Sequence, residues 1–417
     1  MISSIDTNLI PIVLASISLL AVILLIFIYW RPIRRVAKEV RRQEQSDDPE
    51  MTPESGIPVS VIVYANDSHR DLETLIGSIF EQSYANPFEV IVINEGGSDM
   101  ISTIVDQFRV RHSNIYQTFI PESARNVSRK KLGLMLGMKA ARYPAVMLTT
   151  GNSVINSPLW LARMMEPFAA DPLTDVVIGN AINMPEQDEA AGSRARAFGE
   201  AADAITWLTA AIGRHPYRGI ENNLAYRRET FFDNRGFSRS LNLVNGDDDI
   251  FISEIARPDN TAVVLHPDAF ITRVSTDPRR NRRETRTRYT FTGRFISKAM
   301  RRKLAAGAWL LWIQFITAIS ALVLVANNLI TGIQAKIAGI AGAGIPVIDA
   351  IVAGSSLLLL IATIITTMVI WRKSISAIGG RSLRWSVLPF ALGRPFGNIR
   401  NEISASRRRD RFHTWPH

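Results

Sequence analysis

The sequence has no cysteine among its 417 residues. Disulfide bonds and thiolate-ligated metal sites are therefore excluded, and cysteine usage gives no indication of a redox compartment. Apolar residues, by contrast, make up 47% of the chain, and the mean hydropathy is +0.08. These values are typical of a soluble domain joined to a few membrane spans, and the length suggests two or three structural units.

Basic residues are missing from the first 30 positions, where Asp6 is the one charged side chain. A secretory signal peptide requires a basic segment ahead of its apolar core and a cleavage site after it. The uncharged run at 9–30 therefore indicates a membrane span, since about 20 apolar residues cross a bilayer. Two further apolar runs, at 304–325 and 348–371, are long enough to do the same.

The basic residues, which give a net charge of +10, cluster beside these runs. "RPIRRVAKEVRR" follows the first run, "RRK" precedes the second, and Arg372 and Lys373 follow the third, whereas the loop between the last two carries only Lys336. Because cytoplasmic flanks of membrane spans are rich in Lys and Arg, the N-terminus is predicted outside and the large central domain in the cytoplasm. This predicts a multi-pass protein of a bacterial-type inner (plasma) membrane.

Between the first two spans, short β-branched runs alternate with segments of helical periodicity. Strands are predicted at 58–65, 87–95, 114–120 and 145–151, and helices at 69–82, 98–112 and 128–142. This alternation predicts an α/β fold with a mainly parallel sheet and helices on both faces. Ligands of such sheets bind at the carboxyl ends of the strands. The polar residues at those ends are Asn66, Asp67, Asn94, Glu95, Thr150 and Asn152.

Five pieces in order resemble the membrane-bound family 2 glycosyltransferases, which have the GT-A (Rossmann-like) nucleotide-sugar fold. They are the opening at 58–99, "SRKKLGLMLGMKAA", "LTTGNSVINSPLWL", "NGDDDIFISEIA" and "TRTRY" at 285–289. The resemblance covers about residues 57–300 and implies transfer of a sugar from a nucleotide-sugar donor. It departs from the family in the Asp-x-Asp and Gln-x-x-Arg-Trp motifs.

The resemblance implies a nucleotide pocket lined by Tyr64, Ala65, Asn66 and Glu95. Asn94 replaces the first of two acids usual there, while Glu95 keeps an acceptor for a uracil N–H. The alternative is that Glu95 is a solvated residue at a strand end. On the helix that follows, the resemblance makes Lys130 or Lys131 a contact of the donor diphosphate. A solvated helix face explains such a lysine pair equally well.

The third piece stands where the family has its Asp-x-Asp motif. Two acids at this position bind Mg²⁺ or Mn²⁺ while substrate phosphates complete the octahedron. Thr150 and Asn152 replace them with a hydroxyl and an amide, which are neutral, weak ligands. The divalent cation that the resemblance implies is therefore doubtful, and no metal ligand is assigned.

The fourth piece keeps its acids at Asp247, Asp248 and Asp249. By the resemblance, Asp248 is the catalytic base and Asp247 its neighbour, and clustered carboxylates raise one another's pKa. The alternative is a cluster that caps the following helix, since Asp favours helix caps and first turns. Both interpretations stay open.

In the fifth piece Arg288 remains and can pair with the diphosphate, and Tyr289, in place of tryptophan, can stack on a sugar ring. The surrounding basic run precedes a membrane span, which favours contact with anionic lipid over nucleic acid. The segment at 215–237 is implied to line the acceptor side, with Tyr217, Arg218 and Asn223 as contacts.

The predicted organisation has five parts. They are a membrane helix at 1–30, a basic juxtamembrane linker at 31–56, the GT-A domain at 57–300, a two-helix membrane hairpin at 304–371, and a basic interfacial tail at 372–417. The implied function is a transferase that uses a UDP-linked donor and a lipid-linked or polysaccharide acceptor. Membrane lipids and polysaccharide-synthesis proteins are the implied partners. The missing acids leave open a non-catalytic relative that binds a nucleotide-sugar, a glycan or a partner transferase.

Overall fold

The computed structural model describes residues 9–46, 56–66, 71–120, 127–183, 193–273, 278–340, 344, 346–380 and 387–407. Asp67 and the predicted tail beyond residue 407 lie outside this part of the chain. The described residues form two compact units. A helical unit takes those of Met1–Arg34, Lys298–Lys373 and Trp385–Gly397, and an α/β unit takes those of Arg35–Ser297, Ser374–Arg384 and Asn398–His417.

The helices and strands are numbered in chain order. The helices are α1 Leu9–Leu25, which continues through a π-helical turn at Ile26–Trp30, α2 Arg31–Glu44, α3 Leu72–Phe80, α4 Asp99–Arg109, α5 Arg129–Ala140, α6 Trp160–Ala170, α7 Ser193–Ile212, α8 Arg228–Asp233, α9 Ile250–Ile255, α10 Pro278–Thr292, α11 Lys298–Ile337, α12 Val347–Ala377 and α13 Val387–Arg407. The strands are β1 Val59–Ala65, β2 Phe88–Asn94, β3 Ile115–Phe119, β4 Ala145–Thr150, β5 Ser153–Ile155, β6 Val176–Ile178, β7 Ala181–Asn183, β8 Leu224–Arg227, β9 Thr261–Val263 and β10 Ile271–Arg273.

In the part of the chain that the structure describes, three helices are long and apolar enough to cross a membrane. They are the continuous helix Leu9–Glu44, α11 and α12. Within the helical unit the π-helical turn presents two aromatic side chains to α12: the Trp371 indole donates to Tyr29 Oη at 3.1 Å, and the Trp30 indole donates to Thr367 Oγ1 at 3.1 Å. Gly307 of α11 makes room for the Tyr29 ring, since a Cβ there would lie 2.2 Å from Tyr29 Cδ2. Each of these two indole N–H groups thus has a hydroxyl partner, although it is buried among apolar helices.

The α/β unit is built on a seven-stranded sheet in the order β3-β2-β1-β4-β8-β6-β9. β1 pairs in parallel with β2 and with β4, and β2 pairs in parallel with β3. All seven residues of β1 are buried, as expected for a parallel strand that is covered on both faces. The mainly parallel α/β fold predicted from the alternation of strands and helices is confirmed.

The second half of the sheet departs from that alternation. β8 lies antiparallel between β4 and β6, and β6 then pairs in parallel with β9. A separate three-stranded sheet has the order β5-β10-β7. These strands have only three or four residues each, too few for a periodicity to be read from the sequence.

The register of the parallel strands places their carboxyl ends along one edge. Tyr64 of β1 lies beside Thr150 of β4, and Ala65 lies beside Asn94 of β2. Because neighbouring parallel strands end on the same side, the polar residues that follow them converge there.

Candidate active site

At this edge, the ends of β1 and β2 and the start of α5 bring four side chains together. The Tyr64 hydroxyl donates to Glu95 Oε2, and the Arg129 guanidinium lies 3.8 Å from Glu95 Oε1. The Lys130 ammonium lies 5.6 Å from the centre of the Tyr64 ring. Burial and the neighbouring Glu95 carboxylate raise the pKa of Tyr64 well above its ordinary value, so this hydroxyl remains a donor. The cluster brings one carboxylate and two cations together at the carboxyl ends of β1 and β2.

Asn94 has contacts of a different kind. Its Oδ1 accepts from the Ser98 backbone N–H at 2.9 Å, and its Nδ2 donates to the Ser98 carbonyl at 3.0 Å and to Ser102 Oγ at 3.2 Å. The side chain is fully buried. Asn94 therefore fixes the turn from β2 into α4, and its place in a nucleotide pocket stays a prediction.

The two lysines at the start of α5 point to different partners. Lys130 Nζ lies 2.8 Å from Asp247 Oδ2 and also contacts the Glu221 carboxylate. Lys131 Nζ is buried and donates to the Ser240 carbonyl at 2.6 Å and the Asn245 carbonyl at 2.8 Å. Lys130 is therefore the lysine that faces the acidic motif, while Lys131 fixes the segment that leads into it. The diphosphate contact expected of either lysine stays a prediction.

The capping residue of α5 supports the same segment. Ser128 Oγ accepts from the Lys131 backbone N–H at 3.4 Å and donates to the Val244 carbonyl at 3.0 Å. Gly246, two residues after Val244, has φ +116°, and a Cβ there would lie 2.6 Å from Ile250 Cδ1. Because L-residues rarely adopt this conformation, glycine is needed for the turn that aims the acidic motif.

Each acid of that motif faces a different cation. Lys130 contacts Asp247, Arg288 NH2 lies 3.0 Å from Asp248 Oδ2, and Arg218 NH2 lies 3.2 Å from Asp249 Oδ2. All three carboxylates are at least 97% buried, with exposures of 3%, 0% and 1%. Buried carboxylates require such partners, since an unpaired buried charge is costly.

The two interpretations of the motif apply to different residues. Asp249 is the N-cap of α9, and its Oδ1 accepts from the Ile250 backbone N–H at 2.8 Å. Asp248 Oδ1 has no hydrogen-bond partner among the described residues, although it is buried. The helix cap therefore accounts for Asp249, whereas Asp248 keeps an acceptor atom for a ligand.

The electrostatic environment separates the pKa values of the first two acids. Burial raises the pKa of Asp248 to about 6, and Asp249 and Asp247 reinforce this effect against the opposing charge of Arg288. Burial would also raise the pKa of Asp247, but Lys130 and Arg288 outweigh it and hold the pKa at about 2. Neighbouring acids with separated pKa values are typical of sites that transfer protons.

The fifth sequence piece lies on α10. Besides Asp248, Arg288 approaches Glu221, with NH1 3.8 Å from Oε2. The Tyr289 ring is stacked on the Arg218 guanidinium, whose Cζ lies 3.7 Å from the ring centre. Tyr289 thus positions Arg218 through a cation–π contact, and one face of the ring predicted to meet a sugar is taken by this contact.

The position where family 2 has its Asp-x-Asp motif, called the metal slot below, lies at the end of β4. It contains a closed network of hydrogen bonds. Thr150 Oγ1 donates to Asn152 Oδ1 at 2.5 Å, and Asn222 Nδ2 donates to Thr150 Oγ1 at 2.5 Å and to Asn152 Oδ1 at 3.1 Å. The same amide donates to Ser153 Oγ at 2.8 Å. An N–H donor directed at these oxygens places partial positive charge where a cation would lie. The residues present do not fit a divalent cation, and the described part of the chain has no group of three or more His, Asp or Glu side chains that fits one.

Comparison with known proteins identifies the chain. The sequence pattern that describes glycosyl transferase family 21 matches residues 13–385. The chain belongs to this family. The predicted glycosyltransferase activity, the use of a nucleotide-sugar donor and the GT-A type of fold are thereby confirmed, and the resemblance to family 2 is consistent with this membership. Comparison with curated proteins finds no match.

Solved structures similar to the family 21 transferase include a mannosyltransferase from Pyrobaculum calidifontis in complex with GDP-Man and Mn²⁺. It is 18% identical, with a TM-score of 0.48, over 90% of this chain and 99% of that one. Mannosyl-3-phosphoglycerate synthase from Rubrobacter xylanophilus is 14% identical, with a TM-score of 0.40, over 63% and 86% of the chains. Glucosyl-3-phosphoglycerate synthase from Mycobacterium tuberculosis, with Mn²⁺, UDP-Glc and phosphoglyceric acid, is 14% identical, with a TM-score of 0.40, over 59% and 83%.

Two residues of the transferase site were not predicted. Glu221 and Asn222 lie in the segment 215–237 that was assigned to the acceptor side, and they contact Lys130 and Thr150. Asn223, predicted as a ligand contact, binds the Trp160 indole at 3.0 Å and the backbone carbonyls of Asn180 and Ala269. The sequence "ENN" at 221–223 does not indicate which side chain has which contacts, because the contacts follow from the turn that precedes β8.

Proposed function

We propose that this family 21 transferase is a membrane-bound, inverting enzyme that moves a sugar from a UDP-linked donor to a lipid-linked or polysaccharide acceptor. Asp248 is the general base. The observation that carries this proposal is the Asp248 carboxylate, whose Oδ2 is bound by Arg288 at 3.0 Å while the buried Oδ1 has no hydrogen-bond partner among the described residues. A buried acceptor without a partner among the described residues requires an explanation, and a bound ligand supplies one.

The reaction assigns one task to each part of this site. The acceptor hydroxyl oxygen attacks the anomeric carbon and forms the new C–O bond, while its proton passes to Asp248 Oδ1. The bond between the sugar and the diphosphate breaks, and its electron pair stays on the diphosphate. A base with a pKa near 6 is ionised at neutral pH and still binds a proton well enough to assist the attack.

The donor end of the proposal uses the cluster at β1 and β2. Glu95 Oε2 accepts from Tyr64, and Oε1, which lies 3.8 Å from Arg129, has a further lone pair that can accept a uracil N–H. Ala65 and Asn66 continue the end of β1 beside them. Arg129 and Lys130 follow at the start of α5, where Arg129 lies 3.8 Å from Glu95 and Lys130 lies 5.6 Å from the centre of the Tyr64 ring, so that both cations support the binding of a diphosphate near the base.

The acceptor end of the proposal rests on the apolar helices. Among the described residues three helices are long and apolar enough to cross a membrane, and α2, which continues the first of them, has buried Val36 and Val40 and exposed Arg34, Arg35 and Lys38. The exposed basic side chains favour an anionic membrane surface. Apolar spans with a basic flank favour a protein that is held in a membrane, which supports a lipid-linked glycan or a growing polysaccharide as the acceptor.

The proposal predicts incorporation of labelled sugar into lipid or polymer. The purified full-length protein is incubated in lipid with radiolabelled UDP-sugars and a membrane lipid extract, and label is counted in the organic and polymeric fractions. Asp259→Asn is the matched control for Asp248→Asn, because Asp259 is 75% exposed and, among the described contacts, pairs only with Arg257 on the surface. Failure of every UDP-sugar to label either fraction would contradict the proposal.

The pKa values predict the pH dependence of the reaction. Since Asp248 must be ionised, kcat/KM should rise with pH and reach half its plateau near the pKa of about 6. At the other end, burial lowers the pKa of Lys131 to about 8 against the pull of Asp247. Above that pH the lysine loses its charge and its hydrogen bonds to the 240–245 segment become weaker, so activity should fall again. A profile without the acidic limb would show that Asp248 is not the base.

A further inference from the structure

The metal slot of this transferase is filled by its own hydrogen bonds. Asn222 Nδ2 lies within 3.1 Å of Thr150 Oγ1, Asn152 Oδ1 and Ser153 Oγ. Asn222 and Ser153 are buried, with 1% exposure each. A neutral amide donor at the centre of three oxygens stabilises the arrangement without a cation, and a cation would have to displace it. Neutralisation of the leaving diphosphate therefore needs another source of positive charge.

Two side-chain cations lie close by and share one carboxylate. Glu221 Oε2 contacts Lys130 Nζ and lies 3.8 Å from Arg288 NH1. Both cations are about four-fifths covered, with side-chain exposures of 20% and 17%, as is Glu221 at 21%. Partial burial strengthens the electrostatic effect of fixed cations, since water screens them less.

Each cation also contacts an acid of the catalytic motif. Lys130 lies 2.8 Å from Asp247 and Arg288 lies 3.0 Å from Asp248. Glu221 is thus a third carboxylate shared by two cations that already have partners. A single oxygen placed between two cations resembles the position of a phosphoryl oxygen that both would bind.

We propose that Lys130 and Arg288, rather than a divalent cation, neutralise the leaving diphosphate, and that Glu221 holds these two cations in place until the diphosphate displaces it. This rests on the proposed function, in which the donor is a nucleoside diphosphate sugar. As the bond between sugar and diphosphate breaks, its electron pair adds negative charge to a diphosphate oxygen. That oxygen then lies between the ammonium and the guanidinium, while Asp247 and Asp248 keep their contacts to the same two side chains.

The test is the binding of UDP, with GDP as a second probe, to the full-length protein in detergent. Dissociation constants are measured by calorimetry in excess EDTA and in Mn²⁺, and Mn²⁺ bound in the presence of UDP is measured by electron paramagnetic resonance. The expected result is a Kd that differs by less than about threefold between the two conditions, with no tightly bound Mn²⁺. Binding of UDP only with Mn²⁺ would overturn the inference while leaving the transferase function intact.

A Lys130 variant tests whether this cation binds the diphosphate or only supports the fold. Lys130→Gln should raise the UDP Kd about tenfold in EDTA and in Mn²⁺ alike, because a charge-assisted contact is lost. Lys139→Gln is the control, since Lys139 is exposed in the last turn of the same helix. An unchanged Kd for Lys130→Gln would overturn the inference.

Glu221→Gln tests the role of the shared carboxylate. The neutral side chain no longer competes with the diphosphate, so the Kd for UDP should fall, whereas Glu254→Gln on the exposed face of α9 should leave it unchanged. A weaker affinity for Glu221→Gln would show that the diphosphate does not take its place. If neither UDP nor GDP binds in either condition, the nucleotide-sugar donor itself is contradicted, and binding of GDP alone would contradict only the UDP assignment.

Discussion

Asp248→Asn is expected to lower kcat by about a thousandfold, within the range typical of a lost general base. The amide cannot take the proton of the acceptor hydroxyl at Oδ1, the atom that has no partner among the described residues. Asparagine has nearly the same shape, so donor binding should change little and the loss should fall on kcat. The measurement is the initial rate of sugar transfer at saturating donor.

Because Asp248→Asn also removes a buried charge, the stability of the variant has to be checked beside its rate. Asp248→Asn leaves Arg288 without its partner at 3.0 Å, so the thermal midpoint should be recorded with the rate. A rate within about tenfold of the native enzyme, in a folded variant, would show that another group takes the proton. Asp259→Asn, on the exposed surface, should keep the native rate.

Arg288→Gln is expected to reduce kcat/KM about a hundredfold at pH 7, as removal of a fixed electrostatic contact does in other sites. Two effects combine. The leaving diphosphate loses one of its cations, and Asp248 loses the positive charge that opposes the rise of its pKa. Without Arg288 the pKa of Asp248 moves further up, so a smaller fraction of the base is ionised at neutral pH.

The pH profile distinguishes these effects. The acidic limb of kcat/KM for Arg288→Gln should move to higher pH than in the native enzyme, whose midpoint is set by an Asp248 pKa of about 6. Arg294→Gln is the matched control, because Arg294 is exposed just beyond the end of α10. A limb that stays in place would mean that Arg288 acts on the diphosphate alone, and a limb that moves to lower pH would contradict the assigned pairing.

The first half of the sheet could be predicted from the sequence because each strand is a continuous apolar run and each helix has its own periodicity. Strands expected at 58–65 and 87–95 are found at Val59–Ala65 and Phe88–Asn94. The antiparallel strand β8 could not be predicted in this way. Its four residues pair with β4 and β6, and nothing within those four residues indicates those partners.

The adjacent lysines of α5 show the limit of a motif. Both belong to the same sequence piece, yet Lys130 faces the acidic motif and Lys131 is buried beneath it. Neighbouring helix residues point in directions about 100° apart, so which one reaches a ligand depends on how the helix is packed. That packing is fixed by contacts with residues more than 100 positions away, such as Ser240.

The sequence by itself determined the strand ends at which a ligand would meet the protein, the acids at 247–249 and the absence of acids at positions 150 and 152. These properties are local, since they follow from residue type and periodicity. Only the tertiary structure decided that Asn222 closes the metal slot, that Glu221 lies between Lys130 and Arg288, and that Asp248 keeps a buried oxygen without a partner among the described residues. The physical reason is that the charge and hydrogen-bond state of each group is set by neighbours that are distant in the chain and adjacent only after folding.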